Sequence, residues 1–108
     1  MVEIITDSIH LLLHPNLEFE DRWDAANRIL TERGFSLPTL QHCLTLYKLR
    51  DAINGLILAH NGSTIKEAWY WCREEISPFH AIYYDMGDGF DGADVQEYTN
   101  YIRAVKDL

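Results

Sequence analysis

The segment from Pro78 to Asp94 combines regularly spaced carboxylates with glycines and aromatic residues. Carboxylate oxygens in a glycine-rich segment are the ligands that calcium prefers. An EF-hand loop needs acids at positions 1, 3, 5 and 12. Registers that start at Asp85 or Asp88 place glycine or phenylalanine at positions 3 and 5. We therefore predict no metal and no cofactor, and a nonstandard cation site is the only alternative of this kind.

Residue pairs that could catalyse a reaction are incomplete. His42 and Cys43 are adjacent on a predicted helix, so their side chains diverge by about 100° and cannot form a nucleophile–base pair. His80 and Asp85 could act as a general base and its orienting acid, but no substrate pocket is indicated around them. Cys43 and Cys72 lack metal-ligand spacing, and we expect buried reduced thiols, with a disulfide as the alternative. We predict that the protein is not an enzyme.

The net charge of −8 is unevenly distributed. Residues 1–24 carry −5, residues 25–73 carry +3, and residues 74–108 carry −6. Residues 74–97 contain seven acids and no base. An acidic protein repels phosphate backbones, so direct nucleic-acid binding is disfavoured, whereas long-range attraction accelerates the encounter with a basic protein. The composition thus predicts a basic protein partner.

Hydrophobic residues recur at helical spacing along most of the chain, which predicts a mainly α-helical protein. The stripes are Phe19, Trp23, Ala26 and Leu30; Leu46, Leu49, Ile53, Leu56 and Ile57; Ile65, Ala68, Trp69, Cys72 and Ile76; and Val95, Tyr98, Ile102 and Val105. With a short element between Asp7 and Pro15, which could instead be a buried strand, they predict a bundle of four or five helices. We predict a single helical domain, residues 1–108. Residues 2–5 and 80–84 could add one short pair of strands to it.

Several residues mark predicted helix ends. Gly34 is expected to stop the helix that contains Trp23. Thr64 and Glu67 have the spacing of a capping box for the next-to-last helix. Asp91 or Asp94 is expected to cap the last helix.

Aromatic and acidic residues near the C-terminal end predict a partner-binding surface. On its predicted helix, Tyr70 lies on the polar side, either as an interface residue or lying along its own helix. The full predicted set is Tyr70, Phe79, His80, Tyr83, Tyr84, Asp85, Asp88, Phe90 and Asp91. Aromatic anchors supply binding energy when they lose water, and the surrounding acids steer a cationic partner. The alternative is that the segment is a solvated connection that keeps the protein soluble.

Ile82, Tyr83 and Tyr84, followed by the aspartate and glycine cluster, give the chain a resemblance to a known family. A small acidic helical protein with this segment resembles the bacterial immunity proteins that neutralise nuclease toxins. In the colicin-type members a tyrosine pair before an acidic loop contacts the toxin. The resemblance, which covers about twenty residues, implies that role for Tyr83 and Tyr84 and, more loosely, for Asp85 and Asp88. Asp85 follows the tyrosine pair where the family pattern continues to proline.

These observations predict a small inhibitor of the immunity or antitoxin type, which binds a basic toxin and occludes its cationic surface. One alternative is a phage-encoded anti-defence protein whose acids mimic DNA phosphates, and another is a structural or regulatory interaction protein. The start of the chain lacks a basic region before its short apolar run, so we expect a cytoplasmic protein. The sequence does not predict an oligomeric state.

Overall fold

The computed structural model describes residues 1–108 and contains six strands and three helices. The strands are β1 (Val2–Ile5), β2 (His10–Asp21), β3 (Trp69–Ser77), β4 (His80–Asp85), β5 (Phe90–Val95) and β6 (Asn100–Asp107); the helices are α1 (Trp23–Glu32), α2 (Leu40–Lys48) and α3 (Arg50–Ala59). All strands join one sheet in the order β1-β2-β6-β3-β4-β5. Neighbouring strands are antiparallel except β6 and β3, which pair in parallel. None of the helices has the length and apolar character needed to cross a membrane.

Helices cover both faces of the sheet, and each face has its own hydrophobic cluster. On one face, Ala26 and Leu30 of α1 belong to a cluster with Trp71 and Ile102. On the other face, α2 and α3 contribute to a cluster that also contains strand residues such as Leu11, Tyr70 and Val105. We call these the α1 face and the α2–α3 face. Successive side chains of a strand point to opposite faces, so Tyr70 and Trp71 lie in different clusters.

The predicted helical bundle is wrong, because the largest element is a sheet buried on both sides. A strand with both faces covered has a nearly continuous apolar run rather than an alternating one. Such a run contains residues three and four apart by chance, and these imitate a helical stripe. In β6 residues 102–105 form such a buried run, and in β3 the run is limited to Tyr70, Trp71 and Cys72.

Residues 65–76 illustrate the error for the next-to-last predicted helix. Trp69 to Cys72 begin β3, and all four are residue types that favour or tolerate a pleated, buried surface. Thr64 and Glu67 precede the strand and cap no helix. Tyr70, predicted to project into solvent from a helix, is buried on the α2–α3 face.

The predicted last helix is also absent. Its stripe is divided among separate elements, since Val95 ends β5, Tyr98 lies in the following turn, and Ile102 and Val105 lie on opposite faces of β6. Asp91 and Asp94 therefore lie in β5 and cap no helix. The fold of this region depends on hydrogen bonds between strands, which the spacing of residues along the chain does not reveal.

Residues 2–5 and 80–85 do form strands, but they do not pair with each other. β1 pairs with β2, and β4 lies at the other side of the sheet between β3 and β5. The element between Asp7 and Pro15 is part of β2, which corresponds to the strand alternative.

Two features of the predicted helices remain in the structure. Trp23, Ala26 and Leu30 lie in α1, and Gly34 follows that helix with a φ of 81°, a conformation that glycine adopts without steric cost. The long central stripe forms α2 and α3, which are interrupted at Leu49. Phe19, expected in the first stripe, belongs to β2 instead.

A cluster of charged and polar side chains, buried except for Lys66, connects β2, β6, β3 and the segment before β3. We call Glu18, Lys66, Tyr70 and Arg103 the Arg103 cluster. Nε and Nη2 of Arg103 donate to Oε1 of Glu18 at 3.2 and 3.0 Å, and Lys66 also pairs with Glu18. Nη1 of Arg103 donates to the carbonyls of His14 and Pro15 at 3.1 and 2.9 Å, where the register of β2 shifts. Arg103 thus supplies donors to carbonyls that the irregular ladder leaves unpaired.

Candidate protein-binding surface

Three residues from three neighbouring strands stand side by side at one end of the sheet. Trp69 of β3 is opposite Asp85 of β4, and Asp85 is opposite Phe90 of β5. Directly opposed residues of antiparallel strands point to the same face with Cβ atoms about 5 Å apart. Trp69 is 41% exposed and Phe90 is 47% exposed, whereas Asp85 between them is only 7% exposed. The row is therefore an open aromatic surface with a recessed carboxylate at its centre.

The indole of Trp69 is held in place by the side chain diagonal to it. Its ring stacks on the ring of Tyr83 with centroids 4.1 Å apart and planes inclined by 9°. Tyr83 in turn lies across Gly92, where a Cβ atom would approach the tyrosine Oη to 2.7 Å. Because Gly92 has no side chain, Tyr83 can lie flat across β5 and support Trp69 from one side. The stack preorganises one large aromatic surface.

Asp85 shapes the turn between β4 and β5. Its Oδ1 accepts hydrogen bonds from the backbone N–H groups of Gly87 and Asp88 at 2.8 and 3.0 Å. Its Oδ2 accepts a hydrogen bond from Nε1 of Trp69 at 3.2 Å. Gly89 closes the turn with a φ of 82° and packs against the ring of Tyr47. The carboxylate therefore fixes both the indole and the turn that carries the exposed Asp88.

The four regularly spaced aspartates do not form one row. Asp91 is exposed and, opposite Tyr84, lies on the α2–α3 face. Asp94 lies on the α1 face, where its Oδ2 accepts a hydrogen bond from Asn100 at 3.1 Å. The spacing of three residues therefore distributes the carboxylates over a turn and two faces.

All three tyrosines of the predicted binding set are buried: Tyr83, 9% exposed, supports Trp69 from the α1-face cluster, whereas Tyr70 and Tyr84 lie on the α2–α3 face. Tyr70 donates a hydrogen bond to Glu18 at 2.6 Å, and burial followed by this hydrogen bond raises the pKa of its hydroxyl. Tyr84 is buried beside Tyr47, and its hydroxyl has no hydrogen-bond partner. Burial also raises the pKa of Tyr84. Neither ring is accessible to a partner, so both are left out of the surface proposed below.

Phe79 and His80 lie at the opposite end of β4 from Asp85. The six residues of β4 separate the two ends by about 17 Å. Phe79 is 72% exposed at the tip of the β3–β4 hairpin and lines a shallow cavity of about 350 Å³ with Arg22 and Glu97. His80 and Asp85 differ by an odd number of positions along β4 and so point to opposite faces, which rules out the base–acid pair considered from the sequence.

Trp69 is the main residue that sequence reasoning missed, because the predicted helix placed it in a core stripe. The run Trp69-Tyr70-Trp71 contains the missing signal, since aromatic residues are enriched in strands.

The cysteines and the other potential metal ligands are not arranged as a site. No group of three or more histidine, cysteine, aspartate or glutamate side chains is positioned to hold a metal ion. The Sγ atoms of Cys43 and Cys72 are 3.5 Å apart in the core, and their mutual hydrogen bond followed by burial raises the pKa of Cys72. These thiols are structural residues of the α2–α3 face.

The chain thus combines a six-stranded mixed sheet and three short helices with an exposed aromatic row at one end of the sheet. No protein-family model matches the chain, and no curated protein matches it significantly.

Proposed function

We propose that the protein is a small acidic inhibitor of the immunity or antitoxin type, which binds a basic protein and covers its cationic surface. Binding takes place on the Trp69 surface, defined as Trp69, Tyr83, Asp85, Asp88 and Phe90. The observation that carries this proposal is the exposed, rigidly stacked Trp69 beside a recessed carboxylate and a second exposed aromatic ring.

The Trp69 surface has the composition of an interface hot spot. Tryptophan and tyrosine dominate such sites because they lose a large apolar area to the partner at low cost in conformational entropy. Trp69 already stacks on Tyr83, so little further ordering is needed on binding. The surface is therefore suited to tight binding over a small area.

The charges around the surface define the partner. Asp88 is exposed, and no ion pair of the chain includes Asp85 or Asp88. Glu67, which precedes β3, is also exposed and lies next to Gly87 of the β4–β5 turn. A cationic partner would gain hydrogen bonds and faster encounter from these acids. A nuclease toxin fits because the surface that it uses for nucleic acid must be cationic.

A DNA mimic has less support. Mimicry of a phosphate backbone needs a row of exposed acids, whereas Asp91 and Asp94 point to opposite faces and Asp94 is bonded to Asn100. Cytoplasmic residence belongs to the proposal, and the free thiols of Cys43 and Cys72 support it, since a reducing compartment keeps thiols free.

Affinity capture from the source organism tests the proposal. The wild-type chain, Trp69→Ala and the control Tyr98→Ala, which removes an exposed aromatic ring elsewhere, serve as baits with quantitative mass spectrometry. We expect a basic protein that the wild type and Tyr98→Ala retain and Trp69→Ala loses. The purified chain should then abolish the nuclease activity of that protein in stoichiometric amounts. The proposal fails if Trp69→Ala captures the same proteins as the wild type, and binding without inhibition would identify an interaction protein of another kind.

A further inference from the structure

We infer that the Trp69 surface is an arginine-binding subsite, in which a partner guanidinium stacks on the free face of the Trp69 indole and pairs with Asp88. The inference rests on the proposed function in naming a protein partner, but the subsite has a chemistry that can be tested alone.

The cations of the chain provide the first argument. Arg50 lies over Tyr47 at 4.3 Å, Lys66 over Tyr101 at 5.2 Å and Lys106 over Phe35 at 5.2 Å from the ring centroids. Trp69 and Phe90 carry no such cation, although both are exposed and lie beside a carboxylate. Indole is the strongest cation–π partner among the side chains. The indole of Trp69 therefore has no cation of the chain over it and can accept a cation from a partner.

Geometry favours arginine over lysine. One face of the Trp69 indole is covered by Tyr83 in a parallel stack, which leaves a flat opposite face. A planar guanidinium can continue that stack as a third layer, whereas a lysine ammonium is compact and strongly hydrated.

The hydrogen-bonding capacity of the carboxylates agrees with this choice. A carboxylate has about four lone-pair sites, and Asp85 already accepts three hydrogen bonds within the chain. Asp85 therefore keeps only about one free acceptor site, and an incoming cation must pair mainly with Asp88. A guanidinium spreads its donors, so that it can stack on Trp69 while it reaches the exposed Asp88.

NMR titration with small peptides tests the subsite on the purified full-length chain. The probes are acetyl-Gly-Arg-Gly-amide and the same tripeptide with lysine or with citrulline, which has the shape of arginine without its charge. The readout is the indole N–H signal of Trp69, identified by its loss in Trp69→Phe. Trp23 and Trp71 are internal controls, because their indole N–H groups donate to the carbonyls of Cys72 and Asp21.

The expected result is a saturable shift of the Trp69 signal with the arginine peptide, with a Kd on the order of millimolar, the range of a single side-chain contact. Lysine should bind at least about threefold more weakly and citrulline should give no shift. Asp88→Asn should weaken arginine binding, and unchanged signals of Trp23 and Trp71 would show that the fold is intact. Equal binding of arginine and lysine, or equal shifts of all three indoles, would overturn the subsite.

The two proposals can fail separately. If the arginine peptide does not shift Trp69 while capture of a basic protein still depends on Trp69, the arginine subsite is wrong and the proposed function stands. If the peptide binds at Trp69 but no basic protein depends on that residue, the subsite stands and the proposed function is wrong.

Discussion

The Arg103 cluster and the Trp69 surface use the same chemistry in two different environments. In each, an aromatic donor is hydrogen-bonded to a carboxylate: Tyr70 to Glu18 at 2.6 Å and Trp69 to Asp85 at 3.2 Å. Glu18 is also paired with two cations of the chain, Arg103 and Lys66. Asp85 has no cation of the chain beside it.

This difference separates a fold element from a binding element. In the Arg103 cluster the internal cation binds the Glu18 carboxylate, the irregular part of β2 at His14 and Pro15, and the loop carbonyl of Ser63, so the cluster holds these segments together. On the Trp69 surface, backbone N–H groups and an indole hold the carboxylate in position without neutralising it. The first group should therefore govern stability, and the second should govern recognition of a cationic partner.

The largest expected effect is on stability, in Arg103→Met. Removing the guanidinium takes one cation and two hydrogen bonds from the buried Glu18, which keeps only Tyr70 and Lys66, and it removes the Arg103 donors from the carbonyls of His14 and Pro15. Breaking a buried ion pair in this way costs about 3–5 kcal/mol. Urea unfolding followed by tryptophan fluorescence measures the change.

Arg28→Met is the matched control for that variant, because Arg28 is exposed on α1 and should lose less than about 0.5 kcal/mol. If Arg103→Met lost no more than Arg28→Met, the Arg103 cluster would not stabilise the fold.

The next effect is on binding, in Trp69→Ala. Loss of a hot-spot tryptophan should weaken the complex with the captured partner by about 2 kcal/mol or more, roughly 30-fold in Kd. Trp69 is partly exposed and lies outside both core clusters. The free energy of unfolding should therefore decrease far less in Trp69→Ala than in Arg103→Met. Calorimetric titration and urea unfolding of the same sample separate the two quantities. A variant that lost stability but bound normally would reverse the roles assigned to the two groups.

How far the sequence predicts these two groups depends on which contacts are local. The acidic and aromatic character of residues 83–90 is visible in the sequence, and the structure places Tyr83, Asp85, Asp88 and Phe90 together through one hairpin. Trp69 joins them only through pairing of β3 with β4, a contact between segments 16 residues apart. Glu18 and Arg103 are 85 residues apart, and no local pattern indicates their pairing.

The fold was mispredicted for the same physical reason. The sequence predicts helical stripes in residues 65–76 and 95–105, but residues 70–72 and 102–105 within them are buried on both faces of the sheet, which removes the alternation that identifies a strand. The helices α1, α2 and α3 each pack on the sheet with one face, so their stripes are visible in the local sequence.

An identical substitution at two buried tyrosines gives a sharper test of hydrogen bonding inside the protein. Tyr70→Phe removes a hydroxyl that donates to Glu18 and accepts from the backbone N–H of Lys66, and it should cost about 1–3 kcal/mol. Tyr84→Phe removes a buried hydroxyl with no partner, and it should be neutral or stabilising. Thermal and urea unfolding of both variants measure the difference. Equal losses would mean that the hydrogen bond to Glu18 adds nothing to the ring packing.

The smallest effect is a pH dependence of stability that comes from His14, next to the Arg103 cluster. Its Nδ1 accepts hydrogen bonds from the backbone N–H groups of Asn16 and Leu17 at 3.0 and 2.9 Å, which requires an unprotonated nitrogen. Burial, followed by the positive charges of the N-terminus, Arg33 and Arg103, lowers the pKa of His14 below 6.5.

Between the lowered pKa and 6.5 the unfolded chain binds more protons than the folded one, so the free energy of unfolding decreases as pH falls through this window. His14→Asn keeps an acceptor oxygen and cannot titrate, so it should reduce the slope of stability against pH between 5.5 and 7. His42, whose pKa is also lowered by burial, should contribute to the slope that remains. Trp69→Ala should keep the wild-type slope, because the Trp69 surface contains no histidine. A slope unchanged in His14→Asn would show that proton uptake near the Arg103 cluster is not coupled to folding.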